Sequence, residues 1–511
     1  MRVVFISIFF ALTSPDCFAQ LTAEWMASKK VSLSNYGYCV SPGPEGNVYV
    51  SGSFSGSYRD PGPQEQGGFL TCYNSNGEEK WHKEFYNISS SYRIFNAVDS
   101  KGNIIVAGPG LMRFSSQGHL LDSIPIKGFR MPEGLCIDGQ DNIILAGLYF
   151  EDSLMGEMVV EENSFLAKYQ PEGAKLWERS CYINQGPNQD FDLTVDAQGH
   201  IYTSGGFGGS MNLSPDLILT SNYRYDGFVI KYDPHGNVVW AQKFGGEKSE
   251  YPRAITVDKK GDIYIAGTYY GIMVAESFST PVHQGVCDLF LIKYNSDGKL
   301  QWLKSGGGED LEKIREITID KNDNLFLTGY YLSPGIFQWG NYSFSQTEKD
   351  RGYFYVMQLD KEGDVVTMTH SDMGTGEGRD LICDNQGHLY VTGGFGGILD
   401  FAGKTLEGEG MFLMKLSYDM TNKVGLHEES SPQDLFHIFP NPGKDFFYIS
   451  LSDDLCPDAA FQVYETTGRC ILSKPRIGCD ERNFQCTAPP GVYLVELRSG
   501  SQRQTRKVII Q

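Results

Sequence analysis

The sequence predicts an all-β chain: a seven-bladed β-propeller followed by a small Ig-like β-sandwich. Three observations predict it. One phrase recurs seven times along the first 420 residues, helical periodicity is nearly absent, and a different strand pattern begins at Phe436. The phrase is an apolar run, usually an Asp, a Gly/Asn turn, an alternating strand and a closing Gly. Ile255-Thr256-Val257-Asp258 leading to Ile263-Tyr264-Ile265-Ala266-Gly267 is a clear copy, and Ile317-Thr318-Ile319-Asp320 leading to Gly329 is another. Repeats of this length need to be recognised before any single element is assigned.

Each repeat reads as four strands. The closing glycines are Gly52, Gly108, Gly147, Gly205, Gly267, Gly329 and Gly393, spaced 56, 39, 58, 62, 62 and 64 residues apart. After each comes a second phrase, as in Asp226-Gly227-Phe228-Val229-Ile230-Lys231-Tyr232 through Trp240, and five of the six tryptophans (Trp25, Trp81, Trp177, Trp240, Trp302) end such a phrase. Period-2 runs rich in β-branched and aromatic residues, separated by Asp/Asn/Gly turns, are hairpins. A lone four-stranded sheet cannot bury both faces, whereas sheets stacked radially can. The seventh repeat stops after Leu416 without its Trp-bearing outer strand, and Leu21 to Met26 carries one. The N-terminal strand is therefore expected to close the ring, removing exposed edges. The second repeat is short between Gly108 and Leu111, so its second hairpin is expected to be tight or incomplete.

Composition excludes several functions. The formal charge is −20 over 511 residues, and no Lys/Arg run exceeds two. Such a field repels phosphate backbones and anionic lipids, so no nucleic-acid partner is expected. At the N-terminus, Arg2, the apolar stretch Val3 to Leu12 and the exit Cys17-Phe18-Ala19 have the layout of a secretory signal over residues 1–19, with cleavage after Ala19. Ser14-Pro15-Asp16 is a poor approach to a lipidated Cys17. No later stretch reaches the ~18 apolar residues of a membrane helix.

Ten cysteines remain after Cys17. Four of them, Cys456, Cys470, Cys479 and Cys486, crowd into the tail and are the disulfide candidates, with three connectivities open. No CxxC pair exists, so no zinc site is expected. His119, His200, His235 and His388 fall in repeat turns. The Gly-Gly-Phe-Gly-Gly copies at 205–209 and 393–397 precede no helix, and the chain has no His-Glu-x-x-His, Gly-x-Ser-x-Gly or Gly-x-x-x-x-Gly-Lys. No catalytic residue, cofactor or metal is predicted. The repeated Asp (Asp99, Asp138, Asp196, Asp258, Asp320, Asp384) suits turn capping better than calcium.

One constellation survives a register count. Five residues before the repeat Asp stand Arg253, Arg315 and Arg379 in three consecutive repeats, against Ile94, Glu133 and Phe191 earlier. The first strand of each blade lines the central channel, so three guanidiniums are expected side by side, suited to carboxylate, sulfate or phosphate. Pairing with Glu316, Asp380 and Glu377 is the structural alternative.

Asp258…Gly261…Tyr264…Gly267, the strand Phe290 to Tyr294 with Trp302, and Gly52 to Gly56 resemble the bacterial seven-bladed β-propeller repeat family over residues 20–420. That resemblance implies a fold and little chemistry. Residues 421–435 are polar and read as a linker. The tail, 436–511, runs Pro440-Asn441-Pro442, Gly468-Arg469, Gly491-Val492-Tyr493 and a last strand from Lys507. It is similar to the type A C-terminal sorting domain of the type IX secretion system. The resemblance implies a Gram-negative host, handling by the type IX translocon and sortase machinery, and release or attachment to the outer-membrane surface. The whole reads as a secreted or surface-attached binding protein for a glycan, an extracellular protein or a small anion. A polysaccharide hydrolase or lyase and a structural surface component are the alternatives.

Overall fold

The computed structural model describes the chain apart from residues 1–20, 33, 57–65, 87–92, 109, 127–128, 151–161, 184–188, 284, 333–334, 341, 347–351, 372, 385, 419–435, 440–445, 452–459, 466–468, 475–482, 488, 490, 500–501 and 511. The secretory signal and the linker expected from sequence lie outside the described residues. The chain divides into two compact units, Met1–Asn422 and Lys423–Gln511. A 3-10 turn at Pro44–Gly46 is the only helical element among the described residues, and no helix there is long and apolar enough to cross a membrane.

The first unit is a ring of antiparallel sheets. Its inner strands are Ser34–Pro42, Phe95–Val98, Phe129–Ile137, Gln189–Val195, Glu250–Val257, Glu312–Ile319 and Met373–Cys383, and each packs on the next, the last on the first. Every inner strand opens a four-stranded antiparallel unit. In the seventh, Thr22–Lys29 supplies the outermost strand by pairing with Lys404–Ser417, from Thr22 opposite Ser417 to Lys29 opposite Met411. The second hairpin of the short second unit is tight but complete, joining Ile104–Ala107 to Leu111–Phe114. Three outer strands gain an added hairpin from the following repeat: Ser210–Ser214 with Leu217–Thr220, Met273–Ala275 with Phe278–Ser279, and Gly335–Trp339 with Tyr342–Gln346.

The core lies between neighbouring sheets. Tyr264, Leu289 and Leu291 of the fifth pack against Ile317, Leu325, Leu327 and Tyr355 of the sixth. Full burial of one such side chain stabilises by about 1.5–3 kcal/mol, and a ring multiplies the same layer at each seam. Turn chemistry follows the repeat. Asp258 Oδ1 accepts the Lys260 and Asp262 amides at 2.8 and 2.9 Å, and Asp99, Asp138, Asp196, Asp320 and Asp384 do the same in their own turns. His200 and His388 hydrogen-bond the other oxygen of Asp196 and Asp384, while His119 and His235 are exposed.

Four tryptophans each lock their outer strand to the next sheet's second turn. Trp177 Nε1 donates to Pro234 O at 3.2 Å and Trp240 Nε1 to Ser296 O at 3.1 Å, with Trp25 and Trp81 placed alike. Gly236 in that turn has φ +78°, and a Cβ there would meet Trp177 at 2.9 Å, so both conformation and contact require glycine.

The second unit holds two antiparallel sheets. One contains Phe436–Phe439, Phe446–Leu451 and Asn483–Thr487; the other Cys470–Lys474, Ala460–Glu465, Gly491–Ser499 and Gln502–Ile510. Phe461, Val463, Tyr493, Val495 and Leu497 are buried.

Candidate functional site

Six of the seven inner strands break register at one height. The breaks fall between Gly37 and Cys39, Pro132 and Gly134, Gln189 and Asp192, Pro252 and Ala254, Ile314 and Glu316, and Gly378 and Asp380. A β-bulge inserts an unpaired residue and re-aims its side chain. The residues so placed include Tyr38, Glu133, Phe191, Arg253, Arg315 and Arg379. With Arg93, Phe95, Asp192 and Glu316 they line a cavity of about 50 Å³, bounded by residues from all seven inner segments.

Arg253, Arg315 and Arg379 thus meet, as their shared count from the turn Asp predicts. Arg93 is a fourth guanidinium that the count missed. The second inner strand has no bulge, so side-chain alternation there slips. Ile94, the residue at the counted position, is fully buried in the core, and Arg93 and Phe95 face the cavity instead.

Two carboxylates partner the arginines. Glu377 accepts Arg315 Nε at 2.6 Å through Oε1 and Arg379 Nη2 at 2.8 Å through Oε2, so one acid clamps two strands. Arg93 Nη1 lies 3.3 Å from Glu133 Oε2. The Arg379 guanidinium also sits 4.8 and 5.0 Å from the Tyr36 and Tyr38 rings, and that of Arg315 5.5 Å from Tyr330, contacts that favour cations. Of the three acids weighed as partners in the sequence, only Glu377 takes that role in these contacts. Burial, and then repulsion from Arg315 and Arg93, pull Arg253 down from its ordinary value to about 9. It stays protonated at neutral pH, with Glu133 favouring its charged form.

A second layer adjoins the arginines. Asp192, Glu316 and Asp380 each follow a bulge residue. Asp192 Oδ2 accepts the Ile255 amide of the next sheet at 2.9 Å, Asp380 Oδ2 accepts the Val40 amide of the first sheet at 2.6 Å, and Glu316 Oε1 accepts the Ile317 amide at 2.9 Å. Burial pushes Asp192 and Asp380 up to about 7 and Glu316 well above the carboxylate range, with repulsion from Asp192 adding to the burial effect at Asp380 and Glu316. Glu316 thus binds an amide of its own strand, while Asp192 and Asp380 each join two neighbouring sheets. Their role in spanning two sheets has no signature along the chain.

The tail residues singled out from sequence are placed as follows. Tyr493 is buried in Gly491–Ser499, and its hydroxyl donates to Pro489 O at 2.7 Å. Gly491 begins the same strand, and Lys507 pairs with Leu494 across to the last one. Pro440, Asn441 and Pro442 lie outside the described residues, as do Cys456 and Cys479. Cys486 lies opposite Phe447 in the smaller sheet. Cys470 opens the exposed strand Cys470–Lys474, its Sγ 3.2 Å from Leu472 O.

Residues 437–511 match the family model described as the secretion system C-terminal sorting domain. The tail is a type IX secretion sorting domain. A chain bearing it is handled by that secretion machinery. The chain is 25% identical over 196 aligned residues, 32% of its length, to an uncharacterized WD repeat-containing protein of Acanthamoeba polyphaga mimivirus, and spans 14% of that protein's length. Among solved structures, a streptogramin B lyase superposes with TM-score 0.42 and 12% identity, over 77% of this chain and 98% of its own. The Pan2 WD40 domain of Neurospora crassa superposes with TM-score 0.44 and 9% identity, over 79% and 96%.

Proposed function

We propose that this chain is a secreted or surface-attached, non-enzymatic binding protein whose propeller captures an anionic group, a carboxylate or sulfate of a glycan or small acid, in the arginine-lined cavity. The observation that carries this reading is the convergence of Arg93, Arg253, Arg315 and Arg379 on one small cavity in a chain of net charge −20. A basic site in an acidic protein concentrates field where an anion would sit. A cavity of about 50 Å³ has room for a few water molecules at roughly 10–15 Å³ each. That suits a head group more than a whole sugar ring, so the rest of the ligand would lie outside the mouth. Guanidinium forks recognise planar carboxylate or tetrahedral sulfate through paired hydrogen bonds. The sorting domain supports an encounter outside the cell.

Calorimetric titration of the chain with glucuronate, sulfate and glucose tests the reading. Binding of the two anions and not of glucose is expected, with Arg253→Ala, Arg315→Ala and Arg379→Ala each weakening it by about 1–3 kcal/mol, the worth of a charge-assisted hydrogen bond. Equal binding of glucose, or unchanged affinity in all three variants, would sink it.

A second reading is a polysaccharide lyase or hydrolase, favoured by the proton-holding acids Asp192, Glu316 and Asp380 beside the arginines. Their engagement with backbone amides supports the binding reading over it. Release of unsaturated or reducing ends from polyuronates, lost in Asp380→Asn, would favour the enzyme.

A further inference from the structure

The arginine cavity rests on a floor that can change its charge. Asp192 and Glu316 line the cavity beside the guanidiniums, and Asp380 follows Arg379 in the strand Met373–Cys383. Each of the three is half-buried, reached from the channel and otherwise enclosed by the ring. A proton can therefore enter or leave while the ionised form stays poorly solvated. The Glu133 and Glu377 carboxylates are tied to arginines, whereas the floor acids accept the backbone amides of Leu193, Ile255, Ile317 and Val40.

Charged and titratable groups face this floor from every side of the ring. Arg93 precedes the second inner strand, Arg253 comes from the fifth, Arg315 from the sixth and Arg379 from the seventh. Lys313 of the sixth lies farther out, its Nζ 5.8 Å from the centre of the Tyr270 ring. The acids are Glu133 of the third strand, Asp192 of the fourth, Glu316 of the sixth, and Glu377 and Asp380 of the seventh. The rings of Tyr36, Tyr38 and Tyr330 stand against the guanidiniums. Cys39 and Cys136 adjoin the floor acids, and burial pushes both thiols well up. With every carboxyl ionised, the acids match the cations one for one, and no surplus charge remains to hold an anion. Each proton taken up by the floor restores one positive charge.

An anion seated on the guanidiniums repels an ionised carboxylate beside it and so favours that carboxylate's protonated form. Linkage is reciprocal, so protonation favours the anion by the same factor. Resting on the anion-binding reading, we propose that capture at this site is coupled to proton uptake: Asp192, Glu316 and Asp380 admit an anion when protonated and expel it when ionised. With Asp192 and Asp380 raised by burial to about 7, the exchange falls near neutrality. The sign is fixed: affinity falls as pH rises.

Calorimetric titration of the full chain with sulfate, in Bis-Tris and in imidazole at the same pH, reads the protons directly. The two buffers differ in ionisation enthalpy, so protons drawn from them on binding change the observed heat. Sulfate itself does not titrate near neutrality. Net proton uptake is expected, with affinity weakening between about pH 6 and pH 8 by up to about tenfold per pH unit for each proton taken up. Asp380→Asn and Glu316→Gln imitate the protonated forms and keep an acceptor oxygen for the amide. Each should bind sulfate more tightly than the wild type at about pH 8 and show a shallower pH profile. Sulfate binding with no proton uptake and a flat profile overturns the coupling and leaves the anion-binding reading standing. Absence of sulfate binding throughout that range overturns both. Proton uptake unchanged in both variants overturns the assignment to the floor, and should neither variant fold, the wild-type proton count decides.

Discussion

Glu377 shows how one residue sets the character of the cavity. By bridging Arg315 and Arg379 it compensates part of the guanidinium charge, while Arg253 is held in its charged form against burial and the repulsion of Arg315 and Arg93. The acids beside it titrate in the opposite sense to a salt-bridged carboxylate. Asp192 and Asp380 rise from an ordinary 3.8 to about 7 on folding. The folded state therefore binds more protons than the unfolded chain between those values, and stability falls as pH rises through that window. Asp380→Asn removes one titrating group. Its melting temperature should fall less between about pH 4 and pH 7 than that of the wild type, as thermal melts across that range would show. Parallel pH profiles for the two proteins would mean that Asp380 titrates normally.

At the scale of elements, the bulge decides which residues face the cavity. Arg253, Arg315 and Arg379 could be found from sequence because three bulged strands share one count to the turn Asp. Arg93 could not, because a missing bulge leaves no mark in the residue types and shifts the alternation by one. The turn aspartates were legible for a local reason, since each caps amides two and four residues on. The added hairpins were not, because they pair with the preceding repeat's outer strand and nothing in Ser210–Ser214 or Met273–Ala275 names that partner. Closure by Thr22–Lys29 was legible as a missing strand at one end and a surplus one at the other. A chain beginning at Ser34 would expose Lys404–Ser417 as an edge and lose the Trp25 lock on Ser75. It should melt several degrees lower and less cooperatively by calorimetry; an unchanged transition would show that closure adds no stability.

For the whole molecule, the arginine cavity and the sorting domain lie in separate parts of the chain. The ring holds the arginine cavity, and residues 437–511 carry the sorting signature. Deleting 436–511 should leave the ring folded, with its far-ultraviolet strand signal and melting transition kept, while the protein stays in the periplasm. Normal amounts of the truncated chain in the medium would show that export runs by another route. The capture of an anion by the ring is tested most directly by diffraction from crystals grown with selenate, a sulfate isostere that scatters anomalously. An arginine-ring binding site predicts an anomalous peak in the channel within hydrogen-bond reach of Arg253, Arg315 and Arg379, absent in Arg253→Ala. Selenate found only on the outer surface, with no peak in the cavity, would contradict it.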